Sequence, residues 1–233
     1  FDEALDRAAQ MLRAAKRVAV LTGAGISAES GLATFRGAGG LWEGHRVEDV
    51  ATPRAFLRDP LLVWRFYNLR RANLATVQPN PGHHALVELE RRLGEAFTLV
   101  TQNVDGLHQA AGSRNVLEIH GAIRRVRCVG CERVTDRGVE VLPELPRCET
   151  CGAMLRPDVV WFEEELPKNV WRPAVDAVYY SECLLVVGTS ALVYPAAWLI
   201  DAAKNGGAKV IEVNLERSAA SERVDVLLLG PSG

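Results

Sequence analysis

No apolar run in this sequence approaches the ~20 consecutive residues that a membrane-spanning helix requires, although 48% of its 233 residues are hydrophobic. Aromatic residues are sparse at 6%, and neither sign of charge dominates: 27 basic side chains face 29 acidic ones. A net charge of −2 excludes the strong global field that nucleic acid or an anionic membrane selects, so any such binding needs a local patch. Charged residues at 24%, with plentiful Leu, Val and Ala, argue against disorder. Cysteine is scarce too. Of five, four sit in two C-x-x-C pairs. The start, Phe1-Asp2-Glu3-Ala4, shows no secretion signal, so the pairs favour metal binding in a reducing compartment, and the cytoplasm is the expected location. A chain this long buries about 70–75% of its unfolded surface and needs no disulfide staples.

Residues 2–16 place Ala4, Leu5, Ala8, Ala9, Leu12 and Ala15 at helical spacing, an amphipathic opening helix. Residues 18–21 form an apolar run ending in Thr22-Gly23-Ala24-Gly25, the pattern of a buried strand entering a tight turn. Runs at 97–100, 184–187, 210–213 and 226–229 repeat it, with helical stretches such as 83–93 and 195–204 between most of them. This alternation predicts an α/β fold with a mainly parallel sheet. Two stretches interrupt it. Residues 38–80 carry Trp42, Trp64, Phe66 and Tyr67 among many arginines and read as short helices and loops. Residues 121–157 hold the paired cysteines. The expected organisation is a discontinuous large domain (1–37, 81–120 and 158–233) with a small domain inserted twice, as a helical module (38–80) and a cysteine module (121–157).

Four motifs bear chemistry. Gly23-Ala24-Gly25-Ile26-Ser27-Ala28 satisfies G-x-G-x-x-G/A after a strand. Glycine at 23 permits a tight turn, and glycine at 25 lets backbone approach a pyrophosphate that helix-start amides would meet. By itself the pattern is explained as well by a plain turn. The usual acidic residue about 20 positions on has no counterpart, which disfavours a hydride-transferring dehydrogenase. Cys128-x-x-Cys131 and Cys148-x-x-Cys151, sixteen residues apart, fit a zinc ribbon, in which four thiolates leave no open position and the metal is structural. Cys183 lies outside the set and reads as a buried core thiol. Residues 101–108, Thr-Gln-Asn-Val-Asp-Gly-Leu-His, follow a strand at the end where open α/β sheets bind ligands. Gln102, Asn103 and Asp105 suit ribose hydroxyls or a carboxamide, but Asn-x-Asp-Gly is equally a capped turn. His120, before Gly121, has the pKa of a general base near neutrality. His45, His83, His84 and His108 share that chemistry, and residue physics alone does not rank them.

Taken in order, residues 23–31, Thr34-Phe35-Arg36-Gly37, residues 101–108, His120-Gly121, the cysteine pairs, Gly188-Thr189-Ser190 and Val213-Asn214-Leu215-Glu216 resemble the sirtuin family over nearly the whole chain. The resemblance implies a Rossmann-like large domain, a small domain of zinc ribbon and helical module, and NAD in the cleft between them. It implies one structural zinc ion on Cys128, Cys131, Cys148 and Cys151. It implies NAD-dependent removal of acyl groups from lysines of proteins or peptides, yielding nicotinamide and O-acyl-ADP-ribose, with His120 as the catalytic general base toward the ribose hydroxyls. The implied cofactor contacts begin with Gly23, Ala24, Gly25, Ile26, Ser27 and Glu29. Phe35 would cover the reacting face and exclude water, Arg36 would add positive charge near phosphates and ribose, and Trp42 would also bind the cofactor. Gln102 would meet ribose, and Asn103, Val104 and Asp105 the nicotinamide carboxamide. Gly188, Thr189, Ser190, Asn214, Leu215, Glu216 and Ser232 would take the adenosine half, which accounts for the missing early acid.

Within the family, Tyr67-x-x-Arg70 with Ala38 resembles the acyl pocket of class III sirtuins. There a guanidinium and a phenol meet a terminal carboxylate and a small residue leaves room for the chain. The implied substrates are succinyl-, malonyl- and glutaryl-lysine, with acetyl-lysine also accepted. On an arbitrary helix the same residues would read as core packing for Tyr67 and a solvated face for Arg70 and Arg71. Val159, Val160, Trp161 and Phe162 resemble the segment that binds the substrate backbone as an added strand, with Glu164 following Glu163 where a Gly-Glu pattern is common. Other readings share these motifs: a deacetylase with little acidic preference, a protein ADP-ribosyltransferase, or an NAD-sensing zinc-ribbon module. For the last, Arg124, Arg125, Arg127 and Arg133 are the basic candidates, but acids elsewhere balance them, and neither direct nucleic-acid nor membrane binding is expected.

Overall fold

The computed structural model describes residues 2–33 and 44–233. Helix α1 (Asp2–Ala14) leads into β1 (Val18–Thr22) and a single turn of helix, α2 (Gly25–Ala28). Helices α3 (Val47–Val50), α4 (Pro53–Arg58) and α5 (Pro60–Leu74) precede α6 (Pro81–Leu93). Next come β2 (Phe97–Thr101), α7 (Leu107–Ala111) and β3 (Val116–Glu118). Strands β4 (Gly121–Cys128), β5 (Val134–Asp136) and β6 (Leu155–Val159) follow. Helix α8 (Lys168–Tyr179), β7 (Cys183–Val187), α9 (Trp198–Asn205), β8 (Lys209–Asn214) and β9 (Val226–Leu229) complete the order.

The six-stranded sheet runs β3-β2-β1-β7-β8-β9, and every pairing in it is parallel. Val18, Val20, Leu99, Leu185 and Ile211 pack with Ala8 of α1 and Leu86 of α6. The alternate residues Ala19, Leu21, Leu184, Val186 and Val210 pack with α8 and α9. Because both faces are covered, these strands appear in the sequence as nearly continuous apolar runs, interrupted by Thr98 in β2 and Glu212 in β8. Strand order reverses between β1 and β7, the crevice where such sheets hold ligands.

Helices α4, α5 and α6 start alike. Thr52, Asp59 and Asn80 each precede a proline, and their side chains accept from the amides of Ala55, Leu62 and Gly82 at 3.0, 2.9 and 3.1 Å. Proline at the first helical position has no amide left unpaired. Helix α5 is longer than the short helices expected there, at 15 residues. It forms one apolar cluster with the antiparallel sheet β5-β4-β6, through Val63, Trp64, Phe66 and Tyr67 against Ile123, Val126, Leu155 and Trp161. Polar groups reinforce this contact. The Trp64 indole donates to the Leu155 carbonyl at 2.9 Å, and Asn68 exchanges bonds with the main chain of Leu142 at 2.8 and 3.0 Å. Arg71 is 1% exposed, not solvated, and its guanidinium donates to the carbonyls of Ile123, Arg137, Gly138 and Glu140.

The chain enters the small sheet at Gly121, which pairs with Val159. Gly121 has φ +79, and a Cβ there would lie 2.1 Å from the Asp158 carbonyl oxygen, so the crossing needs glycine. Arg125 of β4 bridges Glu118 at 2.7 Å and Asp158 at 2.9 Å, tying the large sheet to the small one. Arg127 also grips Asp158, Arg124 pairs with Asp136, and Arg133 donates to Thr150. No helix among the described residues is long and apolar enough to cross a membrane.

Candidate active site and metal centre

The first glycine loop closes on protein backbone. Gly23 donates to the Val187 carbonyl at 3.1 Å and Gly25 to the Gly188 carbonyl at 2.7 Å. A Cβ on Gly25 would stand 2.7 Å from Gly188 Cα, and one on Gly188, at φ +61, would stand 2.3 Å from the Ile26 amide nitrogen. The spacing therefore meets a physical need inside the chain: the loops after the two central strands touch at their main chains, and together they floor the crevice at the strand-order reversal. Ile26 and Ser27 are buried beneath this loop, while Ala24 is exposed.

Beside the floor lies a buried polar cluster. The Ser27 hydroxyl donates to Asp105 Oδ2 at 2.8 Å, and Asp105 Oδ1 accepts from the Leu107 amide at 2.9 Å. The Asn103 side-chain amide donates to the Gly23 carbonyl at 3.0 Å and to Ser27 Oγ at 3.2 Å. Burial pushes the Asp105 carboxyl up, opposed by the Leu107 amide, the Ser27 hydroxyl and the nearby charge of Arg70. Val104 accepts the Ile123 amide at 2.9 Å, joining this loop to β4.

Two further histidines support the cluster from below. The Asn80 amide donates to His83 Nδ1 at 3.3 Å, and His83 Nε2 lies 3.4 Å from Ser27 Oγ. His108 Nε2 lies 3.0 Å from Thr22 Oγ1, which also meets Thr101 Oγ1 at 2.8 Å. The two rings are 4.9 Å apart. Burial, with His84 beside it, lowers His83 to about 4, and burial, with His83 beside it, lowers His108 to about 3. Both are neutral. His108 Nδ1 meets no hydrogen-bond partner among the described residues.

His120 sits at the junction of the two sheets. Its Nδ1 is 3.0 Å from the Gln102 carbonyl, and since a carbonyl only accepts, Nδ1 carries the proton and Nε2 the lone pair. Burial lowers its pKa below the ordinary histidine value, against a raising effect of that same carbonyl. The Gln102 side chain donates to Thr189 Oγ1 at 3.0 Å. Asn214 donates to the Thr189 carbonyl at 2.8 Å, so Gln102, Thr189 and Asn214 form a row across the ends of β2, β7 and β8. Ser190, Leu215 and Glu216 are exposed beyond it. Ser232 and Gly233 fold back instead toward α6: a Cβ on Gly82 would meet the Ser232 carbonyl oxygen at 2.0 Å, and the Gly233 amide donates to Glu29. Phe35, Arg36, Ala38 and Trp42 lie outside the described residues.

On α5, Tyr67 is fully buried, and its phenol accepts from the Trp161 indole at 2.9 Å. Arg70 lies 5.6 Å over the Phe66 ring and close enough to Tyr67 and Asp105 to favour the charged form of each. Among residues 159–162, Phe162 is exposed and Trp161 is buried. The amides of Val160, Trp161 and Phe162 already bond to the His120 carbonyl, Glu164 and the Ala51 carbonyl at 2.9, 2.8 and 3.0 Å.

Cys128 and Cys151 hold their sulfurs 3.4 Å apart, Cys131 and Cys148 theirs 3.8 Å apart, and all four lie within 4.8 Å of one another. Tetrahedral zinc at about 2.3 Å from each sulfur needs an edge of about 3.8 Å, so the four thiolates fit one ion. The amides of Gly130 and Cys131 donate to Cys128 Sγ at 3.3 and 3.4 Å. Sequence reasoning did not mark Thr22 or Asn80 as supporting groups and left His83 and His108 unranked, because the contacts that join Thr22 to Thr101 and His108, and Ser27 to His83, link residues far apart in the chain. The proline-linked cap at Asn80 was the one local signal available.

The Sir2 family profile matches residues 23–195. The chain is 53% identical over 227 residues to NAD-dependent protein deacylase 2 of Pyrobaculum aerophilum, covering 97% of this chain and 90% of that protein. It is 49% identical over 236 residues to the NAD-dependent protein deacylase of Thermococcus kodakarensis, covering 98% and 91% respectively. A crystal structure of a Sir2 homologue in complex with NAD matches with a TM-score of 0.91 at 43% identity, over 98% of this chain and 89% of that one.

Proposed function

The chain belongs to the Sir2 family, the sirtuins, and from that membership we propose how its residues perform NAD-dependent protein deacylation and which acyl groups they select. It is an NAD-dependent protein-lysine deacylase. NAD, when bound, supplies the ribose that accepts the acyl group and the nicotinamide that departs. The donor set suits it: Asp105 keeps lone pairs on both oxygens after its two internal bonds, and Asn103 and Ser27 stand beside it to orient a carboxamide. His120 is the general base. Its Nδ1 is held by Gln102, its ring is neutral, and Nε2 can take a proton from a ribose hydroxyl. Gly23, Gly25 and Gly188 let the main chain run close under the cofactor, and Gln102, Thr189, Ser190, Asn214, Leu215 and Glu216 receive its ribose and adenosine portions from the strand ends. Phe35, Arg36 and Trp42 are assigned to the cofactor by the family resemblance alone. Cys128, Cys131, Cys148 and Cys151 hold one structural zinc ion.

Acidic acyl groups (succinyl, malonyl and glutaryl) are the preferred substrates, with acetyl-lysine also accepted. The supporting observation is the position of Arg70, one turn beyond the buried Tyr67 on α5 and within electrostatic reach of Asp105. A guanidinium there would give a terminal carboxylate a charge-assisted contact. The test is one peptide carrying acetyl-, succinyl-, malonyl- or glutaryl-lysine in turn, with NAD. Arg70→Met lowers the succinyl-to-acetyl ratio of kcat/KM by ~10²-fold, about 3 kcal/mol. Equal losses on both substrates would contradict the reading.

A further inference from the structure

Several groups fix the position of the Trp161 ring, in a residue only 2% exposed. The Arg156 guanidinium stacks on the indole, with Cζ 3.5 Å from the ring centroid. Glu164 holds that guanidinium at 2.6 and 2.9 Å, and Arg156 also donates to the Val159 carbonyl at 2.9 Å. Glu164 then accepts the Trp161 amide at 2.8 Å. Stacking, carboxylate and main chain thus close a clamp. What the clamp immobilises is the indole N–H, 2.9 Å from the Tyr67 oxygen.

A phenol can accept or donate, whereas a guanidinium only donates. Arg70 lies one turn from Tyr67 and acts on it electrostatically. Without another donor, the Tyr67 oxygen would turn its lone pair toward that guanidinium and its hydrogen away from any ligand Arg70 holds. The Trp161 N–H occupies the accepting side and leaves the O–H to donate. We propose that Trp161, clamped by Arg156 and Glu164, is a positioning residue for acyl specificity, fixing Tyr67 as a hydrogen-bond donor to the terminal carboxylate of an acidic acyl-lysine. The inference rests on the acidic-acyl reading given above. Burial raises the Tyr67 ionisation to about 12, so the donor persists far into the alkaline range. An acetyl group has no terminal carboxylate and gains nothing from this contact, so the arrangement separates the two substrate classes.

The experiment compares succinyl-to-acetyl ratios of kcat/KM for the wild type, Trp161→Phe, Tyr67→Phe, their double variant and Arg70→Met. Trp161→Phe keeps an aromatic face for Arg156 and removes the N–H. It lowers the ratio about tenfold, chiefly through KM for the succinyl peptide. The double variant has the ratio of Tyr67→Phe alone, because Trp161 acts through that hydroxyl. An unchanged ratio in Trp161→Phe, or losses that multiply in the double variant, overturns the proposal. A ratio that survives Arg70→Met removes the acidic-pocket reading itself, whereas collapse in Arg70→Met with no change in Trp161→Phe removes this inference alone. If Trp161→Phe does not fold, Arg156→Lys carries the same test: it loosens the clamp, keeps the indole and gives a smaller fall, with the same non-additivity toward Tyr67→Phe.

Discussion

The Nδ1–H of His120 is committed to the carbonyl oxygen of Gln102, 3.0 Å away, so the imidazole presents one basic atom, Nε2, to the cleft. His120→Ala or His120→Tyr is expected to lower kcat/KM for deacylation by about 10²–10⁴-fold with little change in melting temperature. Near wild-type turnover would remove His120 from its role. The base works as the neutral ring, and burial lowers its pKa. The acid limb of kcat/KM against pH should therefore fall below the ordinary histidine value of about 6.5, and an inflection above it would contradict the assignment.

His83 and His108 make a separate prediction about stability. Their folded values, about 4 and about 3, lie below the unfolded value of about 6.5. Between those limits the unfolded chain binds more protons. Their contribution is thus complete above about pH 6.5 and is lost as pH falls toward 4 and then 3. Each ring adds a slope of up to about 1.4 kcal/mol per pH unit. Urea unfolding at pH 7, 6 and 5 should show a shallower slope for His83→Gln than for the wild type; identical slopes would mean that the ring protonates freely in the fold.

Arg71 holds the helical module to the cysteine module. Arg71→Met leaves the carbonyls of Ile123, Arg137, Gly138 and Glu140 without their donor. At about 1–3 kcal/mol for each buried group left unpaired, the loss should reach on the order of 3 kcal/mol or more. Arg71→Lys should recover part of it. Denaturant midpoints for the three proteins check this, and a loss below about 1 kcal/mol in Arg71→Met would show that water replaces the guanidinium.

For the metal centre, elemental analysis should find one zinc per chain. Chelation should lower the melting temperature, and added zinc should restore it, because binding free energy at such a site is folding free energy. Cys148→Ser should reproduce the effect of the chelator. A melting curve indifferent to both treatments would argue that the four thiols hold no ion.

The strands were legible because both sides of the large sheet are covered, so 18–21 and 184–187 show as unbroken apolar runs and 210–213 as one interrupted only by the buried Glu212. The cysteine pairs were legible for a similar reason: their spacing is the one that lets four thiolates converge on a single tetrahedral ion. Helix α5 was less so. It is buried around most of its circumference, with Val63, Trp64, Phe66, Tyr67, Asn68, Arg71 and Leu74 all enclosed, and a helix buried that way lacks the apolar stripe that marks one in sequence. Arg71 looked like surface for the same reason. In the cleft, the glycines at 23 and 25 were visible, but their nearest neighbour was not, since Gly188 is far along the chain. The family resemblance places Trp161 in a substrate-binding segment. That its indole serves Tyr67 depends on a contact across 94 residues, which periodicity does not encode.

The crossing at Gly121 and Val159 has a mechanical consequence. The two chain segments that join the sheets run side by side there, and His120 is the residue immediately before the crossing. A small domain that tilted about this strap would carry Tyr67 and Arg70, on α5, further than the imidazole beside the pivot. The proton acceptor would then keep its station while what is delivered to it changed.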